Sequence, residues 1–522
     1  MEHILIVTGK LAEESVREHV KEFSEIVDVV SLPLSVASFI TPSFAAKALS
    51  EMNLEKYDMI ILPGTVNGDV SPVEEATGIP TFKGPLHSAD LPLVLTTNVK
   101  LSKTRPASEL IIETVKRKAE DEVEEAEADW KRIMNKHGGL TIGKSGKPTR
   151  VSDGLPMRVI AELVNAPLQD LDFLSRRARY YVSMGADIID IGMLAGNPRP
   201  ESINQIVDAL RDSVDIPISI DTLNPSEIKA AIDSGVDLIL SIDSGNLDEV
   251  SQHIGDEAIV VLPTDISKGL LPKESEERVK ILESNISRVR DLGINRIIGD
   301  LVVEPLLNPG LLEALKSYRL FNTRNPRVPL LFGIGNATEL IDADSIGVNA
   351  SLTAIAREAG CNMLHVPEYS IKAKGSVNEV VTASRMMFLA ERKGTPPKDL
   401  GLDLLVLKEK RWIEDEYENG IEKNVRVISA TGETVFKPDQ SGWFKIQVDR
   451  GSSEIVALYY KRNEKNPTTI IKGRTTRDVY QTIIRKCLIS NYDHAAYLGK
   501  ELEKAFIALK LDRSYVQDED LF

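Results

Sequence analysis

At 522 residues, 42% of them apolar and 27% charged, the chain can build several cores and is too apolar to be disordered. A net charge of −16 works against a broad nucleic-acid surface. The longest apolar runs, such as Met59–Leu62 and Leu91–Leu95, fall far short of the roughly 18 residues that cross a bilayer. Cys361 and Cys487 have no metal-like spacing, and the opening MEHILIVTGK carries no signal-peptide pattern. The expectation is a cytoplasmic protein with neither nucleic-acid nor membrane partners.

Strand and helix signals alternate from the start. His3–Thr8, Val27–Leu32, Met59–Leu62 and Leu91–Thr97 read as strands, and Glu13–Phe23 as a helix. Together they predict a small open α/β domain with a parallel sheet over residues 1–137. The turn Pro63–Gly68 could hold a ligand at a strand end, but a plain loop explains it as well. Arg105–His137 carries apolar residues at Ile112, Val115, Ala119, Val123, Ala126, Trp130 and Ile133, opposite an acidic face. That spacing predicts one long connecting helix. Gly138–Gly154 reads as a linker.

From Arg158 an apolar strand and a helix-length amphipathic stretch recur. The strands are Val159–Val164, Ile188–Ile191, Ile216–Ile220, Leu238–Ile242, Ala258–Leu262, Arg296–Gly299, Pro329–Gly333 and Asn362–Val366. Eight such units over residues 155–395 predict a closed (β/α)₈ barrel, with a doubly wound sheet as runner-up. The tail, residues 400–522, predicts a small α+β domain. Its strands are Trp412–Tyr417, Val425–Ser429, Trp443–Val448 and Glu454–Tyr460, followed by helices Thr476–Leu488 and His494–Leu509.

A barrel of this kind does its chemistry where strands end. The residues that close the eight runs are Asn165, Asp190, Asp221, Asp243, Asp265, Asp300, Asn336 and His365. Single cases are ordinary turn starters; a near-complete ring predicts one pocket lined by carboxylates and amides. Such a pocket suits an oxygen-ligated cation, a sugar, or a nitrogen-rich heterocycle whose adjacent N–H groups meet a carboxylate. The ring alone leaves all three open. Asp243 and Asp265 read as loop starts, Lys268 as a solvated lysine, His494 as a helix-start residue, and His365 as either a pocket or a core histidine.

The segments Gly185–Gly192 (GADIIDIG) and Ile218–Pro225 (ISIDTLNP) resemble the two best-marked strands of the dihydropteroate synthase and pterin-binding family. The whole chain resembles archaeal dihydropteroate synthase-related proteins. The resemblance implies a reduced pterin as substrate or cofactor, with Mg²⁺ as a candidate companion. Carried over by position, Asp221 resembles the third-strand pterin-binding aspartate, and Asp300, in IIGDLVVEP, the sixth-strand aspartate that holds the exocyclic amine. Asp190 stands at the second-strand aspartate, and Asn165, in VNAP, at the first-strand asparagine near pyrophosphate and Mg²⁺. Arg199, in GNPRPE, resembles the arginine of the loop after the second strand, which could clamp a leaving pyrophosphate. Catalysis is thereby expected from Asp190, Asp221 and Arg199, and pterin binding from Asp221, Asp300, Asn336 and Asn165.

There are departures. Leu240 and Ser241 stand where the fourth strand should end in asparagine. Gly335-Asn336-Ala337-Thr338 replaces Ser-Arg-Lys on the seventh strand, and His365-Val366-Pro367 replaces Arg-x-His on the eighth. Gly335-Asn336 also resembles the Ser-Asn of methyltetrahydrofolate corrinoid methyltransferases. The resemblance thus implies either condensation of a pterin-methyl pyrophosphate with an arylamine, in folate or methanopterin synthesis, or methyl transfer from a reduced methylpterin. The second would bring a corrinoid protein as partner. A carrier without turnover is the third reading, and a homodimer is the expected assembly.

Overall fold

The computed structural model describes residues 3–96, 99–143, 146–410, 425–430 and 438–522. Contacts divide the chain into two compact units, Met1–Glu414 and Asp415–Phe522. Among the described residues no helix is long and apolar enough to cross a membrane.

The first unit opens with a four-stranded parallel sheet. Its order is Val27–Leu32, Ile4–Gly9, Met59–Leu62, Thr81–Lys83. The last of these is too short and too polar to announce itself as a strand. Leu91–Thr96, expected as a strand, is a helix. Its Leu91 and Val94 are buried against the sheet, a spacing of three that a helix satisfies as well as an apolar run does.

The expected single connecting helix is two, Ala107–Ala128 and Trp130–His137, broken at Asp129. Its buried stripe also differs. Ala107 and Ile111 pack under the sheet, while Ala119, Val123 and Ala126 pack on Leu155 and the last barrel helix. Ile112 and Val115 lie exposed. The helix thus changes partner along its length, and no single stripe serves both.

The barrel is closed and wholly parallel. Its strands are Arg158–Leu163, Ile188–Gly192, Ile218–Asp221, Leu238–Ile242, Ala258–Val261, Ile297–Asp300, Leu330–Gly333 and Met363–Pro367. The fold expected from the eight-fold repeat is the fold observed. Helices start on strong signals: Asp170 accepts from Phe173 N at 2.7 Å, and Pro200 and Pro225 open the next two. Alternation along each strand sorts the residues. Val159, Ala161, Ile189, Ile191, Ile220 and Phe332 face the helices. Ile160, Ile188, Leu238, Ala258, Ile298, Leu331 and Met363 fill the interior.

Gly138–Gly154, read as a linker, holds a two-stranded hairpin, Leu140–Ile142 with Thr149–Val151. Its Ile142 and Val151 join the interior cluster and close the barrel floor. Arg158 anchors the floor with a two-pronged pair to Glu127 of the long helix, at 2.6 and 2.9 Å.

The second unit has an antiparallel sheet, Gly442–Asp449, Glu454–Lys461 and Thr469–Gly473, packed on helices Thr476–Arg485 and Tyr492–Lys510. Val425–Ser429, expected as a strand, forms none. The expected strand Trp412–Tyr417 lies outside the described residues.

Candidate active site

Two residues beyond each interior side chain, alternation brings another side chain inward, one layer nearer the strand ends. That layer holds Glu162, Asp190, Asp221, Leu240, Asp300, Gly333 and His365, reached from Ile160, Ile188, Ser219, Leu238, Ile298, Leu331 and Met363. Acids and a histidine gather on strands 1, 2, 3, 6 and 8. The fourth and fifth strands contribute Leu240, Val260 and Leu262. The strand-end layer therefore has a charged side and an apolar side.

His365 sits at the centre of the charged side. Its Nε2 is 3.2 Å from Asp190 Oδ2 and 3.8 Å from Glu162 Oε2. Burial alone would lower its pKa; the Asp190 hydrogen bond and the charges of Glu162, Asp190 and Asp221 outweigh that and raise it to about 10. It is an imidazolium at neutral pH. Asp190, wholly buried, also accepts from Ser219 Oγ at 2.6 Å. One atom each of Asp190, Asp221 and His365 lies within 4.8 Å of the others. The three groups form one compact charged cluster.

Asp221 and Asp300 are each tied by one oxygen. Ser241 Oγ donates to Asp221 Oδ1 at 2.7 Å. A bulge in the fourth strand delivers that serine, with Ser241 at φ 75. Tyr318 Oη and Val302 N donate to Asp300 Oδ1 at 2.5 and 2.7 Å. Among the described residues no hydrogen bond reaches the second oxygen of either acid. Burial pushes both carboxyls up, Asp190 adding to the rise at Asp221, with Tyr318 opposing it at Asp300.

Val302 reaches Asp300 only by adopting φ 64, a strained conformation for a β-branched residue, worth about 1–3 kcal/mol. Arg278 holds it there. This arginine is fully buried and donates to Pro272 O, Leu301 O, Val302 O and Glu304 Oε2 at 2.9–3.1 Å. It pins the loop after the sixth strand from behind.

The other candidates lie further out. Asn336 is exposed on a helical turn after the seventh strand and donates to Val303 O at 2.7 Å. Asn165 follows the first strand at φ 52. It offers one amide oxygen to a cation. The Arg199 guanidinium is 46% exposed and 3.9 Å from Glu201. Asp243 is a loop tie, accepting from Gly245 N, Thr264 Oγ1 and Ile266 N at 2.7–2.8 Å. Asp265 pairs with Lys268 at 2.6 Å. In the second unit, His494 lies 3.0 Å from Asp439, which also accepts from Ser490.

Glu162 is the residue the sequence hides. It stands inside the apolar run Val159–Val164, so attention to strand ends passes over it. Counting inward positions from Ile160 would have found it. Burial, with Asp190 and Asp221 nearby and His365 opposing, pushes its carboxyl up to about 7.

Over 99% of its length the chain is 40% identical to an uncharacterized protein of Methanocaldococcus jannaschii, covering 99% of that protein. Residues 165–367 match the pterin binding enzyme family. The whole chain belongs to one family with that protein, and its barrel carries the pterin binding enzyme family's domain. Residues 438–518 match the PterinBD-DUF4346 family, and residues 2–86 a family of unknown function. A Ycf91-like protein of Nostoc is 29% identical over 105 residues, 15% of this chain and 83% of that protein. Among solved structures, dihydropteroate synthase of Stenotrophomonas maltophilia is 19% identical, with a TM-score of 0.38, covering 46% of this chain and 94% of that one. The Xanthomonas albilineans enzyme in complex with 7,8-dihydropteroate is 18% identical, with a TM-score of 0.39, covering 49% of this chain and 100% of that one.

Proposed function

We propose that this family member is a pterin-dependent transferase that moves a methyl group from N5 of a reduced pterin to a nucleophilic acceptor. The charge of the barrel mouth carries the reading. Glu162, Asp190, Asp221 and Asp300 face inward around one imidazolium, and two neighbouring cations are already engaged, Lys268 with Asp265 and Arg177 with Glu368 at 2.8 Å. A pyrophosphate-bearing donor would bring several negative charges to carboxylates in a poorly hydrated pocket. The methyl-bearing ring of a reduced methylpterin brings none to that end of the pocket.

The free oxygens of Asp221 and Asp300 are suited to the ring N–H and exocyclic amine of the pterin's pyrimidine edge. Leu240, Val260 and Leu262 offer its plane an apolar surface. Asn336, from the turn after the seventh strand, is suited to the N5 edge, where an amide can follow the change in charge as the methyl leaves. A corrinoid protein is one acceptor of the right chemistry.

Condensation of a pterin-methyl pyrophosphate with an arylamine is the second reading. It is favoured by the lightly engaged guanidinium of Arg199, which could clamp a leaving pyrophosphate with Asn165 and Mg²⁺ nearby. The test starts from titration of a reduced pterin into wild type and Asp300→Ala, where affinity should fall at least thirtyfold. Equal binding removes Asp300 from the site. Methyl loss from a methyl-tetrahydropterin is then compared with pyrophosphate release in the presence of an arylamine. Methyl loss supports the first reading and pyrophosphate release the second; binding with neither identifies a carrier.

A further inference from the structure

Glu162 differs from every other acid of the mouth. Asp190 accepts from Ser219 and faces His365, Asp221 accepts from Ser241, and Asp300 accepts from Tyr318 and Val302 N. Among the described residues Glu162 has no hydrogen-bond donor, and the group paired with it is His365, at 3.8 Å. Its side chain is only 16% exposed. A mostly buried carboxyl without a donor is costly unless a ligand completes it.

The surroundings make room for this carboxyl. On the second strand a Cβ at Gly192 would overlap Glu162 Oε1. Position around the barrel gives it a direction. A pterin whose pyrimidine edge is held from the third and sixth strands, by Asp221 and Asp300, turns its pyrazine edge toward strands 7, 8, 1 and 2. Glu162 is the inward group of strand 1.

We infer that Glu162 is the acid that delivers a proton to N5 of the pterin as the methyl group departs. This rests on the methyl-transfer reading. The acceptor, a nucleophile such as a thiolate or a reduced metal centre, forms the new bond to the methyl carbon with its own electron pair. The carbon–N5 bond breaks and its electrons stay on N5. The carboxyl proton of Glu162 moves onto N5, and the carboxylate left behind is reprotonated by solvent once product leaves.

The groups facing Glu162 support a proton held near neutrality. They are Asp190 from the second strand, Asp221 from the third, His365 from the eighth and Glu339 from beyond the seventh. Burial and the three acids favour the neutral carboxyl, His365 opposes them, and the balance falls at about 7. An acid of that strength is charged and discharged within one turnover at ordinary pH.

The test uses the full chain and two measurements. The first is the affinity for 5-methyl-tetrahydropterin between pH 6 and 8.5 in wild type, Glu162→Gln and Glu162→Asp. Wild type should bind about tenfold more weakly at pH 8.5, as the donor proton is lost. Glu162→Gln, whose amide still donates, should stay within twofold across the range. The second is the single-turnover rate of methyl loss, which Glu162→Gln should lower at least a hundredfold while Glu162→Asp restores part of it. A pH dependence of binding that persists in Glu162→Gln overturns the proposal, as does a rate within fivefold of wild type. If wild type binds no reduced pterin, the functional reading itself fails. If it binds without transferring to the acceptor supplied, the pH dependence of affinity still decides for or against Glu162.

Discussion

Replacing His365 with glutamine removes the one cation from a wall of carboxyls. The shift from 6.5 to about 10 sets a ceiling of about 5 kcal/mol on what the imidazolium contributes. Part of that is returned in the variant, because Glu162 at about 7 and Asp221, also raised, take up protons once the cation is gone. About 2 kcal/mol should remain at pH 6. The direction with pH follows from the raised value. The contribution is fully present below about 6.5 and is lost as pH climbs through 10. Calorimetric unfolding of wild type and His365→Gln should therefore differ most at pH 6 and converge by pH 10. Equal stability at pH 6, or a gap that widens with pH, would refute an imidazolium between these acids.

Further outcomes follow from other contacts. Tyr318→Phe removes one of the two donors to Asp300 and should weaken reduced-pterin binding by about 1.5–3 kcal/mol, measured by titration. Arg278→Lys cannot reach the carbonyls that the fully buried guanidinium meets, and should cost about 3 kcal/mol or more in denaturant unfolding. The same variant should lower pterin affinity by releasing Val302. Gly192→Ala presses on the end of a flexible side chain, so stability should hold within about 1 kcal/mol while the pH profile of methyl loss changes.

The barrel was legible because eight strand-and-helix repeats leave few other ways to bury so many apolar faces. Asp190, Asp221, Asp300 and His365 were legible as a ring because each stands at or near the end of an apolar run. Glu162 was not, because a lone acid inside a strand looks like surface until the inward positions are counted. The floor hairpin was missed since Gly138, Gly139, Gly143, Gly146 and Gly154 punctuate it like a linker. Leu91–Thr96 reads as a strand because its apolar run of five, Leu91–Leu95, fits a helix turn and a strand equally. Which oxygen of Asp300 is free depends on Tyr318 and Val302, and no local pattern in the sequence announces the left-handed backbone at Val302.

The helix Ala107–Ala128 lies under the first sheet at one end and against the last barrel helix at the other. A helix turns about 100° per residue. Adding or deleting one residue near Val115 would therefore swing one contact stripe by about 100° relative to the other, and neither neighbour could follow without opening its own core. The helix acts as a rigid key cut for two locks, and its length between Ile111 and Ala119 is set as firmly as any side chain in the pocket.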